Sequence, residues 1–433
     1  MITDQIKIRL NKTDATYWKI FHTTKNTRNG YYTKSLQKED FLFGKKEDTA
    51  ITVYKKFGNL IGEGTVTITS PSEINRKIYD ALHICTLSKN KFFEPIYEAK
   101  HYPKIKLYDK TFDEKKPSFY ENKFDSFANK IKGAVKSEKS ITINGFEVMT
   151  DDEEITLCTS HTNDLHERKS SVYAEAVLTA KGKTEQEYLP MIKETAFSQV
   201  DVEKFVKYYS SIAKDISNSQ NCKQFTGNVV LTRDAVKEFF VPNLYDSPVL
   251  IHSSARMSYL KLSKLKIGKE IGQINGDKLT MINNPLLPLG LRSSEFDTDC
   301  VPAKKTALIE NGIFKKHYAS KRYADYLKVA PSGPLGNIEI GSGSASLNEL
   351  MHGKFYEVVG FSSFSPNPYS GDFSAEIRLG YLHENGKRTP LKGGMLVGNV
   401  FDMVCNMQLS KEKIYSGGYL GPKAALFRNM TIA

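Results

Sequence analysis

Hydrolysis at a metal needs three protein ligands, an open position for water and a nearby carboxylate to move the proton. The histidines of this 433-residue chain supply no such local pattern. Of nine histidines only two precede a glutamate: His166-Glu167 runs on as Arg-Lys-Ser-Ser and His383-Glu384 as Asn-Gly-Lys-Arg. Neither places a second histidine one helical turn on, and His383 falls on an expected strand beside a turn. His252 stands alone in IHSSARMSYLKLSKLKIGKEIGQ, an expected helix after an expected strand at SPVLI, and reads as a polar helix-end residue. Five cysteines (Cys85, Cys158, Cys222, Cys300, Cys405) are scattered and never form a Cys-x-x-Cys pair. That spacing argues against a zinc knuckle or a disulfide framework and leaves five reduced thiols.

Other nucleophiles fare no better. Ser342, Ser344 and Ser346 in GSGSAS, and Ser362, Ser363 and Ser365 in FSSFS, match neither a Gly-x-Ser-x-Gly elbow nor a phosphate loop with its lysine. GSGSAS instead reads as a strand end followed by a helix that Ser346 caps, with Glu349 closing a capping box. In NPYSGDFS, Asn367, Gly371, Asp372 and Ser374 admit two readings. They could line a groove that grips extended peptide backbone, because strand addition needs exposed main chain and small side chains. Alternatively they form a turn in which Gly371 adopts positive φ and Asp372 bonds its own backbone. Asp297 and Asp299 are expected to bond loop amides or the adjacent Lys304 and Lys305. No catalytic or metal-binding residue is assigned.

These residues need a large scaffold, and the composition allows one. With 40% hydrophobic residues, 23 Tyr and 24 Phe, the chain can bury a core in two or three domains. A net charge of +12 is compatible with nucleic-acid partners. The lysines, however, are spread along the chain among acids and outnumber arginine, whereas base readout favours Arg, Asn and Gln; this argues against direct nucleic-acid binding. No apolar run of 18 residues occurs and the N-terminus lacks a signal-peptide pattern, so a cytosolic protein without a membrane span is expected.

Periodicity predicts an α+β fold in three stretches. Residues 1–98 read as a hairpin turning at Gly58-Asn59 and a helix with Ile74, Ile78, Leu82 and Ile84 on one face. A polar segment, 99–118, is expected to be a linker. Residues 119–220 read as a helix, an antiparallel sheet with Val172, Ala174, Ala176 and Leu178 on one face, and a closing helix striped by Val202, Phe205, Val206, Tyr209, Ile212 and Ile216. Residues 224–433 begin with a buried strand at GNVVLT and a helix over TRDAVKEFFVPNL. Hairpins then turn at Asn311-Gly312 and Asn385-Gly386, implying a curved antiparallel sheet or partial barrel.

The run FDTDCVPAKKTALIENGIFKKHYASKRYADYL, then NPYSGDFSAEIRLGYLHENGK, then GNVFDM, resembles the ordered motifs of the TldD/PmbA family, known as modulators of DNA gyrase. The resemblance covers most of 224–433 and extends weakly through the rest. In that family the TldD branch carries a His-Glu-x-x-x-His helix, binds zinc and cleaves peptides, while the PmbA (TldE) branch lacks the motif and pairs with it. Here the matching segment holds only His252, and the tail IYSGGYLGPKAALFRNMTIA has no cysteine where the zinc branch offers a Cys-Gly ligand. The resemblance therefore implies a PmbA/TldE-like subunit with no cofactor of its own. It would act on peptides, including small ones such as microcins and antitoxins, with a TldD-like zinc subunit as partner. A catalytically inert homodimeric peptide-binding or scaffold protein is the alternative, with a nucleic-acid-associated factor as a weaker third.

Overall fold

The computed structural model describes residues 2–136, 138–242 and 247–433. Its first half comprises α1 (Ile2–Leu10), β1 (Tyr17–Tyr32), β2 (Lys38–Phe57), β3 (Leu60–Ile68), α2 (Ile74–Leu87), β4 (Lys89–Lys91), α3 (Pro117–Val135), β5 (Ile141–Thr159), β6 (Leu165–Lys181), β7 (Glu185–Tyr188), β8 (Met191–Glu194) and α4 (Val202–Asn218). The eight strands form one antiparallel sheet ordered β4-β3-β2-β1-β5-β6-β7, with β8 also on β6. Because β1 pairs with both β2 and β5, stretches 1–98 and 119–220 share a single sheet, which corrects the expectation of two separate units.

Alternation gives β1 two different faces. Trp18 and Ile20 pack with Ile51, Val53, Ile74 and Ile78 under α1 and α2, and Tyr32, on the same face, packs with Tyr120 and Phe124 of α3. Tyr17 and Phe21 point the other way, to Phe296 and Cys300 of the C-terminal half. The expected stripes hold on β6 and α4, where Val172, Ala174, Ala176 and Leu178 are fully buried. On α2 the buried face is Ile74, Ile78, Ala81 and Cys85, with Leu82 and Ile84 only half-buried at its margin. Segment 99–118 is a strap and not a free linker: Lys106 O accepts from Leu289 N at 2.7 Å, Leu107 is buried, and Asp109 N donates to Ser170 Oγ at 2.9 Å.

The second half contains β9 (Gln220–Asn221), β10 (Phe225–Thr232), α5 (Arg233–Phe240), α6 (Pro248–His252), α7 (Ala255–Tyr259), β11 (Met281–Asn284), β12 (Thr306–Glu310), β13 (Ile313–Phe314), α8 (Lys321–Leu327), β14 (Asn337–Ile340), α9 (Leu347–Leu350), β15 (Phe355–Ser363), β16 (Asp372–Glu384), β17 (Lys387–Lys392), β18 (Met395–Asn399), α10 (Val400–Asn406), β19 (Met407–Leu409), β20 (Lys413–Ser416), β21 (Tyr419–Pro422) and β22 (Ala424–Ile432). Strands β15, β10, β22, β18 and β16 pair in that order, and β16 returns to β15. This five-stranded ring is the partial barrel; β18 and β22 join it at the single pair Leu396–Ile432. Beside it lies a six-stranded sheet, β13-β12-β11-β14-β21-β20. One large core, including Val229, Leu231, Phe239, Leu308, Ile338, Phe373 and Phe427, fills the space between them.

Three local expectations in this half give way to tertiary structure. SPVLI is not a strand: Pro248 opens the five-residue α6. The long helix expected after it is only α7, since Leu262 N and Ser263 N both turn back to Met257 O and Lys261 sits at φ 59°. KKHYAS is not a returning strand either, because Lys315 N and Lys316 N share Leu308 O and the chain then leaves the sheet to bridge Ser253–Ala255 through Tyr318. The helix over TRDAVKEFFVPNL stops at Phe240, before Pro242, and Asn243 and Leu244 lie outside the described residues.

Candidate functional site

α6 and α7 occupy the segment where the zinc branch is expected to carry its metal helix, and their histidine is fully committed. His252, 1% exposed, accepts Lys264 N at Nδ1 (2.8 Å). Its Nε2 must then carry the proton, which it donates to Tyr369 O at 2.9 Å. Burial lowers its pKa, so the ring is neutral, and it meets the Phe401 ring edge-on at 5.0 Å. Neither nitrogen has a lone pair left for a metal. His383 is likewise engaged, with Nε2 2.9 Å from Glu357 Oε2 and its ring stacked on Phe355. His166 lies on β6 beside Thr156. Among the described residues no three His, Cys, Asp or Glu side chains converge as ligands. The donor set does not fit zinc.

His252 instead anchors the loop 367–372. Asn367 Oδ1 accepts Tyr369 N and Ser370 N, and Gly371 N returns to Asn367 O. Gly371 sits at φ 84°, where an added Cβ would stand 2.6 Å from Phe401 Cδ2. The loop is a turn, as one reading expected, but its self-bonding residue is Asn367. Asp372 reaches across to Asn399 Nδ2 at 2.7 Å, and that bond, followed by the one with Ser370, keeps its carboxyl below the ordinary range. Asn399 in turn caps α10 through Phe401 N and holds Ser370 O. Lys264 Nζ donates to Ser370 O at 2.6 Å beneath the turn. Asn367, Gly371 and Asp372 are therefore brought together, whereas Ser374 lies apart on the exposed side of β16, opposite Val397. Tyr369 and Val397, 60% and 52% exposed, flank this surface.

The FDTDCVP loop is also tied down. Asp297 Oδ1 accepts Asp299 N and Val301 N, the loop-amide role expected of it. Burial, then the charge of Asp299, pushes its pKa up to about 7. Asp299 pairs with neither Lys304 nor Lys305 but with Lys19 Nζ of β1 at 2.6 Å; Lys305 goes to Glu339 and Lys304 to Pro331 O. Glu167 of β6, almost fully buried, accepts Ser294 Oγ at 2.9 Å and pairs with Lys169. Asp299 and Ser294 lie more than a hundred residues from Lys19 and Glu167, so local reading gave no signal for either contact. The GSGSAS segment forms the expected capping box of Ser346 and Glu349 on α9.

Residues 226–433 match the family described as PmbA/TldA metallopeptidase C-terminal domain. An uncharacterized protein of Methanocaldococcus jannaschii is 27% identical over 259 residues, 56% of this chain and 59% of that protein. A zinc metalloprotease TldD homolog of Saccharolobus solfataricus is 27% identical over 180 residues, covering 37% and 39% of the two chains. The matched stretch thus spans less than two thirds of either relative. Among solved structures, a protein described as a modulator of a DNA gyrase from Thermotoga maritima superimposes with TM-score 0.84 at 17% identity, covering 100% of this chain and 99% of that one. TldE from Thermococcus kodakarensis does so with TM-score 0.79 at 19% identity over 100% of both chains. These two share the fold over the whole length.

Proposed function

This chain belongs, through its C-terminal half, to the TldD/PmbA family, and from that premise we propose that it is the zinc-free subunit of a two-subunit peptidase. The observation that carries the reading is His252. In the segment where a metal helix is expected, the lone histidine spends both nitrogens on backbone groups of its own fold. Its work is architectural: it pins the turn 367–372 against α10. In this reading a TldD-type subunit supplies the zinc and its activated water, and this chain supplies binding and position. The turn around Gly371 and the exposed side of β16 at Ser374 form part of the wall along which an extended peptide lies. Locking that wall in advance lowers the ordering cost of binding.

The test is to purify the full chain alone, measure its metal content, and assay peptide cleavage before and after mixing with a zinc-bearing TldD-type subunit. Cleavage should arise only in the mixture and vanish on chelation, with no stoichiometric zinc in this chain alone. Stoichiometric zinc in the isolated chain, or peptidase activity without a partner, overturns the reading.

A further inference from the structure

At the edge of the six-stranded sheet a cleft of about 440 Å³ lies between the start of β12, the segment after β13 and the loop after α8. Its lining includes Lys304, Lys305, Lys315, Lys316 and His317, with Ile267 and Val329 at the rim, and among the described residues that line it none is acidic. The Asn311-Gly312 turn makes this convergence: β12 and β13 run antiparallel, so the lysine pair entering one strand lies beside the pair leaving the other. The early exit of the chain after Phe314 then turns Lys315 and Lys316 into the cleft instead of along a sheet edge.

Only Lys305 has a carboxylate partner, Glu339 at 2.6 Å. Among the described residues, Lys304, Lys315 and Lys316 have none within ion-pair distance. Lys304, whose pKa is held below its ordinary value by burial and then by the charge of Lys316, can offer its ammonium only to the Pro331 carbonyl. Like charges held this close raise the local potential, and a bound anion relieves it.

We propose that this cleft binds the carboxylates of an acidic peptide segment. Phosphate sites are built from free backbone amides at turns or helix starts, and here the amides of Lys315 and Lys316 are both consumed by Leu308 O. What remains are lysine point charges on flexible stems, suited to carboxylate side chains. Ile267 and Val329, 49% and 39% exposed at the rim, offer apolar contact that a peptide can use and a small inorganic anion cannot. The inference rests on the peptide-handling role proposed above and adds a substrate class to it.

The test uses the full chain and a rhodamine-labelled peptide carrying four consecutive glutamates, against the same peptide with glutamines, read by fluorescence anisotropy. The glutamate peptide should bind at least about tenfold more tightly, and K304Q/K316Q should remove that preference, while K130Q/K132Q on α3 should leave it intact. Equal binding of the two peptides, or equal loss in both double variants, overturns the proposal. So does an outcome in which ATP binds and K304Q/K316Q abolishes that binding without touching the peptide's. Cleavage of a neutral peptide by the mixed complex keeps the two readings distinct. If it persists without any acidic preference, only this inference falls; if acidic peptide binds but mixing gives no cleavage, the subunit reading falls and the site stands.

Discussion

Lysine does opposite work in the two halves of this molecule. Lys19, on the inner face of β1, is 8% exposed and sits 2.6 Å from Asp299 across the boundary between the halves. Burial, the largest single influence, would by itself lower its pKa, but Asp299 and Tyr54 together outweigh it and the net shift is upward, so the ammonium stays charged where it is least hydrated. Lys304, Lys315 and Lys316 are clustered, open to a cleft and, among the described residues, without carboxylate partners, and for Lys304 the shift runs downward. A buried cation with its own counter-ion is a fastener, because the folded chain completes it. A group of cations that the folded chain leaves unneutralised is completed only by something else. Counting lysines cannot separate these cases; their partners can.

The sharpest way to break the comparison is to remove one member of each set. Lys19→Met leaves Asp299 half-buried and unpaired, and should cost about 3 kcal/mol in urea unfolding. Lys19→Met with Asp299→Asn should recover much of that loss. Lys304→Met with Lys316→Met should leave the unfolding midpoint unchanged or slightly raised, since it relieves repulsion. If Lys19→Met proves as silent as the cleft variants, the distinction collapses. The pH dependence of stability probes the same junction through Asp297, whose folded pKa is raised to about 7 from 3.8. Below pH 4 both folded and unfolded chains are protonated there. As pH rises from about 4 to 7 the unfolded state ionises first, so this group's contribution to stability falls, by roughly 4 kcal/mol, and then levels off. Asp297→Asn should flatten that part of the profile; an unchanged slope would place the titration elsewhere.

A smaller effect is expected at the turn beside His252. Gly371→Ala forces a side chain into φ 84° and against Phe401, and should cost about 2 kcal/mol. If the turn also walls the peptide path, the mixed complex should show a raised KM with little change in kcat. A stability loss with unaltered kinetics would confine Gly371 to folding.

What was legible in the sequence divides along the same line as the lysines. Asn311-Gly312 and Asn385-Gly386 were readable because a two-residue turn with φ of 49° and 76°, or 51° and 71°, is chosen by those residues themselves. The α4 stripe was readable because its period belongs to one helix. The joining of β1 to β5, the pairing of Lys19 with Asp299 and the burial of Glu167 are set by contacts between segments far apart in the chain, and no local pattern encodes them. SPVLI misled because Val and Ile favour strands, while Pro248 and the packing of Val249 and Leu250 into the C-terminal core make a helical turn. For the candidate site, local reading gave the turn at Gly371. It did not give the basic cleft, whose two lysine pairs meet only after the hairpin closes and the chain leaves the sheet early.

The smallest expected effect tests whether a purely local device behaves as one. Ser346 Oγ accepts Glu349 N at 3.3 Å while Glu349 Oε2 accepts Ser346 N at 2.6 Å, and both side chains are largely open to water. α9 has only four residues, and Glu412 already holds Leu347 N, so the box guards one turn and not a long helix. Ser346→Ala should therefore cost about 1 kcal/mol and no more. Peptide cleavage by the mixed complex should be unchanged, because the carboxylate that accepts the Ser346 hydroxyl, Glu349 Oε2 at 2.7 Å, is shared with the cap, and that bond holds its pKa below the ordinary carboxylate range, which makes it a poor base. A loss of cleavage with stability intact would make Ser346 a nucleophile and GSGSAS part of the chemistry. It would also show that a residue completed within its own turn can carry function, contrary to the rule drawn from the lysines.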